Sequence, residues 1–387
     1  MKILTIGSCP YLLTNLGRLN ANILEHLTVA HEVASAVWHH DDAYFMPGED
    51  GRYIHDHTGV ELFPFQNAPE IGTAQVYDII QKYEPEVVIT IGDYHEVAFL
   101  HLIKEFLPDA FKWVAVVVSA ATPVNEQYYK FLSSIDVAIL TNHQNINTFQ
   151  MLGIESSVHS VGIERLYSRP SQEAEDFRVL CVGKNAHISN IAMFMAALSG
   201  VKDEIHGYLH TNLHDPGDYD IDLLCRRYVL EGRLELPQTY SSIKQGLSPE
   251  ELNRLYGRFQ VVVDCSLRSA TAMSVLEAMA TGCVPIVNRC GALAEVADAF
   301  EMSRLESEPF ISEREEELWI PSLHGLVREL EWLYFLWKEN RGLFQKRKEL
   351  AENIAKRFDR KDFVREVEQV INQVTKRNNP ILSVEKI

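Results

Sequence analysis

No apolar run in this chain reaches the roughly 20 residues needed to cross a bilayer as a helix. The opening stretch MKILTIGSCPYLL carries one lysine and a short apolar run. It reads as a first buried strand ending at a glycine turn rather than as a signal peptide. Cys9, Cys181, Cys225, Cys265, Cys283 and Cys290 are scattered without C-x-x-C spacing. That pattern speaks against a disulfide framework or a zinc site, and for small thiols buried in a reducing, cytoplasmic setting. The pairs His39/His40 and His55/His57 lack the acidic or cysteine partners of a metal site, so they read as surface-loop histidines and no metal is expected. There is no G-x-S-x-G, no H-E-x-x-H and no D-x-D of the metal-dependent kind. Gly183-Lys184 lacks the upstream glycine and the following Ser/Thr of a P-loop. No tandem repeat and no low-complexity segment is present. Positive charge is short as well, with 36 Lys+Arg against 54 Asp+Glu and a formal net charge of −18. A whole-surface attraction to nucleic acid or anionic lipid is therefore disfavoured, although a local basic groove is compatible with it. The late basic residues Lys346, Arg347, Lys348, Lys356, Arg357, Arg360 and Lys361 are interleaved with Glu349, Glu352 and Asp359, and read as a solvated helix face.

What is present is a long, ordinary globular composition. At 387 residues and 46% hydrophobic content, two domains are expected. Apolar strands at 2–7, 33–38, 87–91, 113–118 and 137–140 alternate with helices at 15–27, 76–82, 95–106, 126–132 and 146–152. Near-continuous apolar strands separated by helices indicate a parallel sheet covered on both faces. The polar stretch Ser168 to Asp176 is the best linker candidate, and residues 39–59 read as a rim loop. The pattern then restarts with strands at 178–182, 204–209, 234–236, 260–263 and 284–287. Ser248-Pro249-Glu250-Glu251 opens a helix, with serine as N-cap and proline at the first helical position. From about Pro321 the chain is helical and aromatic, with a last helix over 361–374 and a frayed end at 376–387. The expected division is an N-terminal Rossmann-like domain at 1–168, a second one at 169–345, and helices at 346–387 returning toward the first.

The most informative stretch is Val261 to Phe300, VVVDCSLRSATAMSVLEAMATGCVPIVNRCGALAEVADAF. A strand, a small-residue turn, a helix around Glu277 and a second strand make a unit suited to holding a phosphate at a helix N-terminus. Ser269, Ala270, Thr271 and Ala272 are small enough for backbone N–H groups to approach an anion. Glu277 can accept two hydrogen bonds from a ribose diol, or can be a plain helix carboxylate facing solvent. Lys184 follows a strand inside a Gly-Lys-Asn turn, where it can neutralise a diphosphate or simply be a surface lysine. Asp93 and His95 sit past a buried strand. They can orient an acceptor hydroxyl or stabilise a leaving phosphate, or they can be a capping aspartate and a packed histidine.

In this order the features resemble the GT-B glycosyltransferases of the retaining family-4 type, over nearly the whole chain. His31-Glu32-Val33 resembles the family's "G-H-E-V", and EPEVVITIGD resembles its "P-D-V-V" strand. FRVLCVGKN resembles "vGR…KN". SLRSATAMSVLEAMATGCVPIVNRCGALAEV resembles "S-x-x-E-G-F-G-L-x-x-L-E-A-M-A-x-G-x-P-V-V…G-G-x-x-E", the most specific of the matches. The resemblance implies two Rossmann-like domains facing a cleft, with C-terminal helices packing back across the hinge. The aromatic run Trp332 to Trp337 and Phe344 supplies the apolar surface expected for that return.

The resemblance also implies transfer of a sugar, most simply a hexose, from a nucleotide-diphosphate donor to a hydroxyl acceptor (a glycan or small molecule) with retention. No tightly bound cofactor is implied. Glu277 matches the second Glu of E-x7-E, which binds ribose. Thr271, Ala272 and Met273 match the segment that holds the diphosphate and donor sugar. Gly183 and Lys184 match "vGR", and Gly17 lies near the N-terminal Gly-rich loop that approaches the phosphates. The chain departs from the family at several places. The first Glu falls on Ser269, Phe and Gly fall on Thr271 and Ala272, the lysine falls on Ser189, and no histidine stands near Ser119 to Thr122. Two other readings stay open: a non-catalytic nucleotide-sugar-binding homologue, and a viral-type enzyme that glycosylates hydroxymethylated bases in DNA.

Overall fold

The computed structural model describes residues 1–38, 47–48, 51–66, 69–119, 122–123, 126–170, 176–213, 217–237, 246–300, 305–313 and 315–376. His39, His40 and most of the tail from 376 to 387 lie outside the described residues, as do parts of the expected rim loop and linker.

The first unit is built on strands β1 (Lys2–Ser8), β2 (Glu32–Trp38), β3 (Tyr53–Ile54), β4 (Glu61–Pro64), β5 (Val87–Gly92), β6 (Lys112–Val117), β8 (Val137–Leu140) and β9 (Glu155–Val158), with β7 (Thr122–Pro123) set apart from them. They form one sheet in the order β3-β4-β2-β1-β5-β6-β8-β9. Every pairing is parallel except β3 with β4. Its helices are α1 (Asn15–Leu27), α2 (Pro69–Tyr83), α3 (Tyr94–Val97), α4 (Leu100–Phe106), α5 (Glu126–Leu132) and α6 (Ile146–Met151). Ile3, Leu4, Ile6, Val87, Val88, Ile89 and Trp113 are fully buried, which explains why these strands read as unbroken apolar runs. The expected helix over 95–106 is two helices, α3 and α4. A capping box of Asp93 and Glu96 starts the first of them four residues before it ends.

The second unit carries β10 (Arg178–Val182), β11 (His206–His210), β12 (Leu234–Glu235), β13 (Val261–Asp264) and β14 (Val284–Val287) in the parallel order β12-β11-β10-β13-β14. Its helices are α7 (Ile191–Gly200), α8 (Ile221–Arg227), α9 (Pro249–Tyr256), α10 (Met273–Ala280) and α11 (Gly291–Phe300). Ser248 caps α9 as anticipated, and the Glu251 side chain completes a capping box. Five of the six cysteines are buried and all six are free thiols.

A third, antiparallel sheet was not anticipated. Strands β15 (Ser307–Ile311) and β16 (Glu316–Pro321) form a hairpin, and β16 also pairs with β7 of the first unit. Backbone hydrogen bonding thus stitches the two units together. The runs are short, one contains Pro309, and the third strand is nearly 200 residues away, so no local signal marks the sheet.

Helices α12 (Leu323–Glu339) and α13 (Arg341–Ala355) pack on the second unit, against α7 and α10. The chain then crosses back. An isolated bridge joins Ile163 to Asp359, and α14 (Arg360–Lys376) lies on α1, β6 and β8. The aromatic residues expected to supply this return serve the second unit instead: Tyr334, Trp337 and Phe344 surround Phe177, at ring-centroid distances of 5.4, 5.6 and 6.2 Å. The return is made by Phe363, Val364, Val367, Val370 and Ile371, whose helical spacing buries one face of α14.

The late basic residues are not all solvated either. Arg347, Lys348 and Arg360 are buried. Burial pushes the Lys348 ammonium down to about 8, helped by the nearby Arg169 charge. Below that pH the ammonium is charged in both folded and unfolded chains, and its burial cost applies in full. Above it the folded chain sheds the proton first, while the unfolded lysine keeps it to about 10.4. The stability contributed at this position therefore rises between about pH 8 and 10.4, by on the order of 2–3 kcal/mol. Urea melts of Lys348→Met across that range are expected to lack this increment relative to wild type. Parallel pH slopes for the two proteins would refute the burial assignment.

Candidate functional site

The carboxyl ends of both parallel sheets meet, and the loops leaving them make the candidate site. β13 ends at Asp264, whose carboxylate accepts from the Ser266 amide at 2.9 Å. The following turn is held from several sides. Asn288 Nδ2 donates to the Ser266 carbonyl at 2.7 Å, Leu267 N–H donates to the Ile188 carbonyl at 2.8 Å, and Ala292 N–H donates to the Ser269 carbonyl at 2.8 Å. From the first unit, Thr141 Oγ1 and Asn142 Nδ2 donate to the Ala270 carbonyl at 2.9 and 3.2 Å.

Ala272 precedes α10 with φ 49° and ψ 22°, a left-handed conformation that costs a residue with a Cβ about 1–2 kcal/mol. This is the position where the family motif has glycine, which gives a backbone reason for that glycine. No side chain caps α10 and its first turn has no acidic residue. Its leading N–H groups and the positive end of its dipole are thus uncompensated, the condition for holding an anion. Thr271 is buried beside them, and Met273 is buried beneath α14, where Arg360 donates to its Sδ at 3.6 Å. The Ser269 hydroxyl makes no hydrogen bond among the described residues.

Gly183 and Lys184 follow β10, the strand beside β13. A Cβ on Gly183 would sit 3.2 Å from the Ser189 Cβ, so the turn closes tightly. Lys184 is exposed, and its ammonium has no partner among the described residues. It stands on the loop next to the α10 turn, because Asn190 Nδ2 donates to the Cys265 carbonyl at 3.2 Å. The site residues Ser269, Thr271, Ala272, Met273, Gly183 and Lys184 therefore share one edge of the second sheet.

Glu277 does not face solvent. It is 1% exposed, and Arg18 of α1 donates to its Oε1 at 2.6 Å. The same Arg18 nitrogen reaches Glu164 at 3.1 Å and the Tyr167 hydroxyl at 3.3 Å, while Arg360 lies 3.6 Å from Glu164. Burial pushes the Glu277 carboxyl up, against the pull of Arg18. Burial also opposes the charge on Arg18, but the Glu277 and Glu164 carboxylates outweigh it and hold the guanidinium protonated.

Asp93 and His95 are brought to a second cluster across the cleft. Asp93 caps α3, which is the local role open to it from sequence, and Ser119 Oγ donates to it at 3.4 Å. His95 Nε2 lies 2.8 Å from Glu316, the first residue of β16, and the Tyr94 hydroxyl donates to the same carboxylate at 3.0 Å. Arg268 of the β13–α10 turn lies 3.0 Å from Glu316 and 3.9 Å from Asp93. The two acids are pushed apart. Burial raises Asp93 despite Arg268 and His95. Burial would also raise Glu316, but hydrogen bonds from His95 and Tyr94 and the Arg268 charge hold it below the usual carboxylate range. A carboxyl inclined to hold a proton beside one kept ionised is a pattern suited to acid–base work.

Gly17 lies in the first turn of α1. A Cβ there would lie 2.2 Å from the Leu12 carbonyl oxygen, and its own N–H donates to Thr14 Oγ1 at 3.2 Å. The glycine is required by the β1–α1 turn itself. Sequence reasoning missed Arg18, Glu164, Arg268, Glu316 and Arg360. Arg268 lies inside the quoted motif stretch and Arg18 directly follows Gly17, while Glu164, Glu316 and Arg360 have no motif to mark them.

No protein-family model matches the chain, and no curated protein sequence matches it. Solved structures do. Sucrose-phosphate synthase from Thermosynechococcus elongatus superposes with a TM-score of 0.75 at 14% identity, covering 98% of this chain and 100% of that one. A glycosyltransferase from Rickettsia africae gives 0.72 at 12% identity, covering 98% and 99%. Anabaena HepE in complex with UDP-glucose gives 0.70 at 14% identity, covering 96% and 100%. The chain has the GT-B fold: two Rossmann-like units around a central cleft, with helices returning from the second to the first.

The buried ion network makes a stability prediction. Glu277→Ala strands Arg18 with a single remaining carboxylate and is expected to cost about 3–5 kcal/mol in urea melts. Glu277→Gln, which keeps a hydrogen-bond acceptor, is expected to cost less than half as much. Equal losses would show that packing rather than charge pairing holds the network.

Proposed function

We propose that this protein is a nucleotide-sugar-dependent glycosyltransferase that moves a sugar to a hydroxyl acceptor, with hexosyl transfer and retention of configuration. The observation that carries the reading is the start of α10. An uncapped helix N-terminus without a first-turn carboxylate lies at the carboxyl edge of the second sheet, with the unengaged Lys184 on the adjoining loop. The GT-B fold and the LEAMATG motif support it. HepE, a neighbour in fold, has been solved with UDP-glucose, and trehalose-6-phosphate from E. coli with UDP-2-fluoro glucose.

In this mechanism Lys184 and the α10 amides near Thr271, Ala272 and Met273 stabilise the departing diphosphate. Glu277 anchors the ribose. Gly183 and Gly17 let their turns close against the donor, and Ser269 faces the donor sugar. Asp93 and His95 receive the acceptor hydroxyl, with Asp93 available to exchange its proton. Closure of the two units excludes water that would hydrolyse the donor. Phosphate charge is met by lysine and amides, so neither a metal nor a bound cofactor is invoked. The acceptor is a glycan or small molecule, with the site at 1–168 on the acceptor side, 169–345 on the donor side, and a cytoplasmic location.

One observation favours a second reading, a nucleotide-sugar-binding protein without turnover. Ser269 occupies the place of the motif's sugar-contacting glutamate, and its hydroxyl has no partner among the described residues.

A thermal-shift screen against UDP-, GDP-, ADP- and TDP-sugars is expected to single out one nucleotide by several degrees. Lys184→Ala is then expected to lower kcat about 100-fold with a smaller change in KM. Donor binding without hydrolysis or transfer would select the second reading, and no stabilisation by any donor would sink both.

A further inference from the structure

The Arg18–Glu277 pair is the strongest unexplained feature of the cleft. It joins α1 of the first unit to α10 of the second across a sequence separation of 259 residues. It also occupies the carboxylate that the proposed function assigns to ribose. We propose that Arg18 is a diphosphate-binding residue that rests on Glu277 until a nucleotide arrives. It then exchanges partners: Glu277 passes to the ribose diol and Arg18 to the diphosphate. This inference rests on the nucleotide-sugar reading of the site.

Three observations support the exchange. The first is the hydrogen-bonding state of Arg18. All three of its contacts, to Glu164, Tyr167 and Glu277, run through one terminal nitrogen. Its Nε is buried with no hydrogen-bond partner, and its side chain is 6% exposed. A guanidinium carries five N–H donors in a planar fork suited to two oxygens at once. The resting contacts leave most of that fork unused, and a phosphate group is the acceptor that fills it.

The second is position. Glu277 lies four residues into α10, so the Arg18 guanidinium reaches the helix about 6 Å along the axis from its uncapped start. A diphosphate seated on those amides comes within reach of the fork by a modest side-chain movement.

The third is charge balance. Arg18 and Arg360 against Glu164 and Glu277 sum to zero, so the resting network is closed. A diphosphate ester brings two negative charges into the cleft. The exposed Lys184 answers one of them and Arg18 the other, which leaves Arg360 facing both Glu164 and Glu277. Hydroxyl donors from the ribose replace the N–H that Glu277 gives up. In the resting state the Arg18 Nε is the group left without a partner, and the phosphate supplies its acceptor.

The test uses calorimetric titration of the full chain with UDP, inorganic pyrophosphate and uridine, repeated with ADP and GDP where UDP does not bind. Wild type is expected to bind the nucleoside diphosphate and, more weakly, pyrophosphate. Arg18→Met is expected to weaken both by at least about tenfold, while the nucleoside, which lacks phosphates, binds as well as to wild type or better because Glu277 is freed. Arg18→Lys is expected to fall between. Should Arg18→Met fail to fold, Glu277→Gln is compared with the double variant Arg18→Met/Glu277→Gln, where the same loss for phosphates alone is expected. Unchanged or tighter diphosphate binding in the Arg18 variants overturns the exchange while leaving the nucleotide reading standing. Wild type that binds none of the nucleoside diphosphates overturns both.

Discussion

Four charged side chains, three buried and Glu164 half-buried, meet at the junction of two sheets and set the terms for this molecule. Arg18, Glu164, Glu277 and Arg360 come from α1, the segment after β9, α10 and the start of α14. Removing Arg18 from such a set leaves the Glu277 carboxylate desolvated and without its cation, which costs more than the set as a whole contributes. The two units and the returning helix are therefore specified together. Arg360 shows how tightly. Its guanidinium donates to the Gly162 carbonyl at 3.1 and 3.2 Å, and Gly162 adopts φ 67° with the backbone of Asp359 only 2.7 Å from where a Cβ would stand. The crossing chain needs a glycine there for steric as well as conformational reasons.

The same junction explains why the cleft loops are engaged with one another. The first unit sends Thr141, Asn142 and Gln144 onto backbone groups of the second, and β16 pairs with β7 from the other side. Hydrogen bonds to carbonyls hold the turn before α10 in shape while the leading amides of α10 stay free to meet an anion. The second cluster, Asp93, His95, Arg268 and Glu316, repeats the principle with a hairpin residue in place of a helix residue. Both clusters combine a cation of one unit with a carboxylate of the other, so electrostatics at the site and docking of the units are one set of contacts.

Periodicity and punctuation made the two parallel sheets legible. Continuous apolar runs of four to seven residues, ended by Gly7, Gly92, Gly183 or Asp264, gave strands buried on both faces, and β8, β10 and β14 stand at the expected bounds. Ser248-Pro249 and the 13 residues of α1 carry their own start signals, because caps act within one turn. Lys184 and the α10 turn were readable for the same reason: strand, small residues and helix follow one another in the chain.

What tertiary structure alone decided is everything that depends on partners far apart in sequence. Nothing around Glu277 announces that Arg18 lies against it, since a carboxylate on a helix reads the same whether it faces water or a guanidinium from the other unit. The third sheet needed β7, the aromatic residues near 332–344 went to Phe177 rather than to the return, and Lys348 and Arg360 were buried among charges. Local sequence fixes backbone preference and the face a residue presents. It carries no information on which distant surface will cover that face, and the balance of desolvation against pairing is settled only when the two surfaces meet.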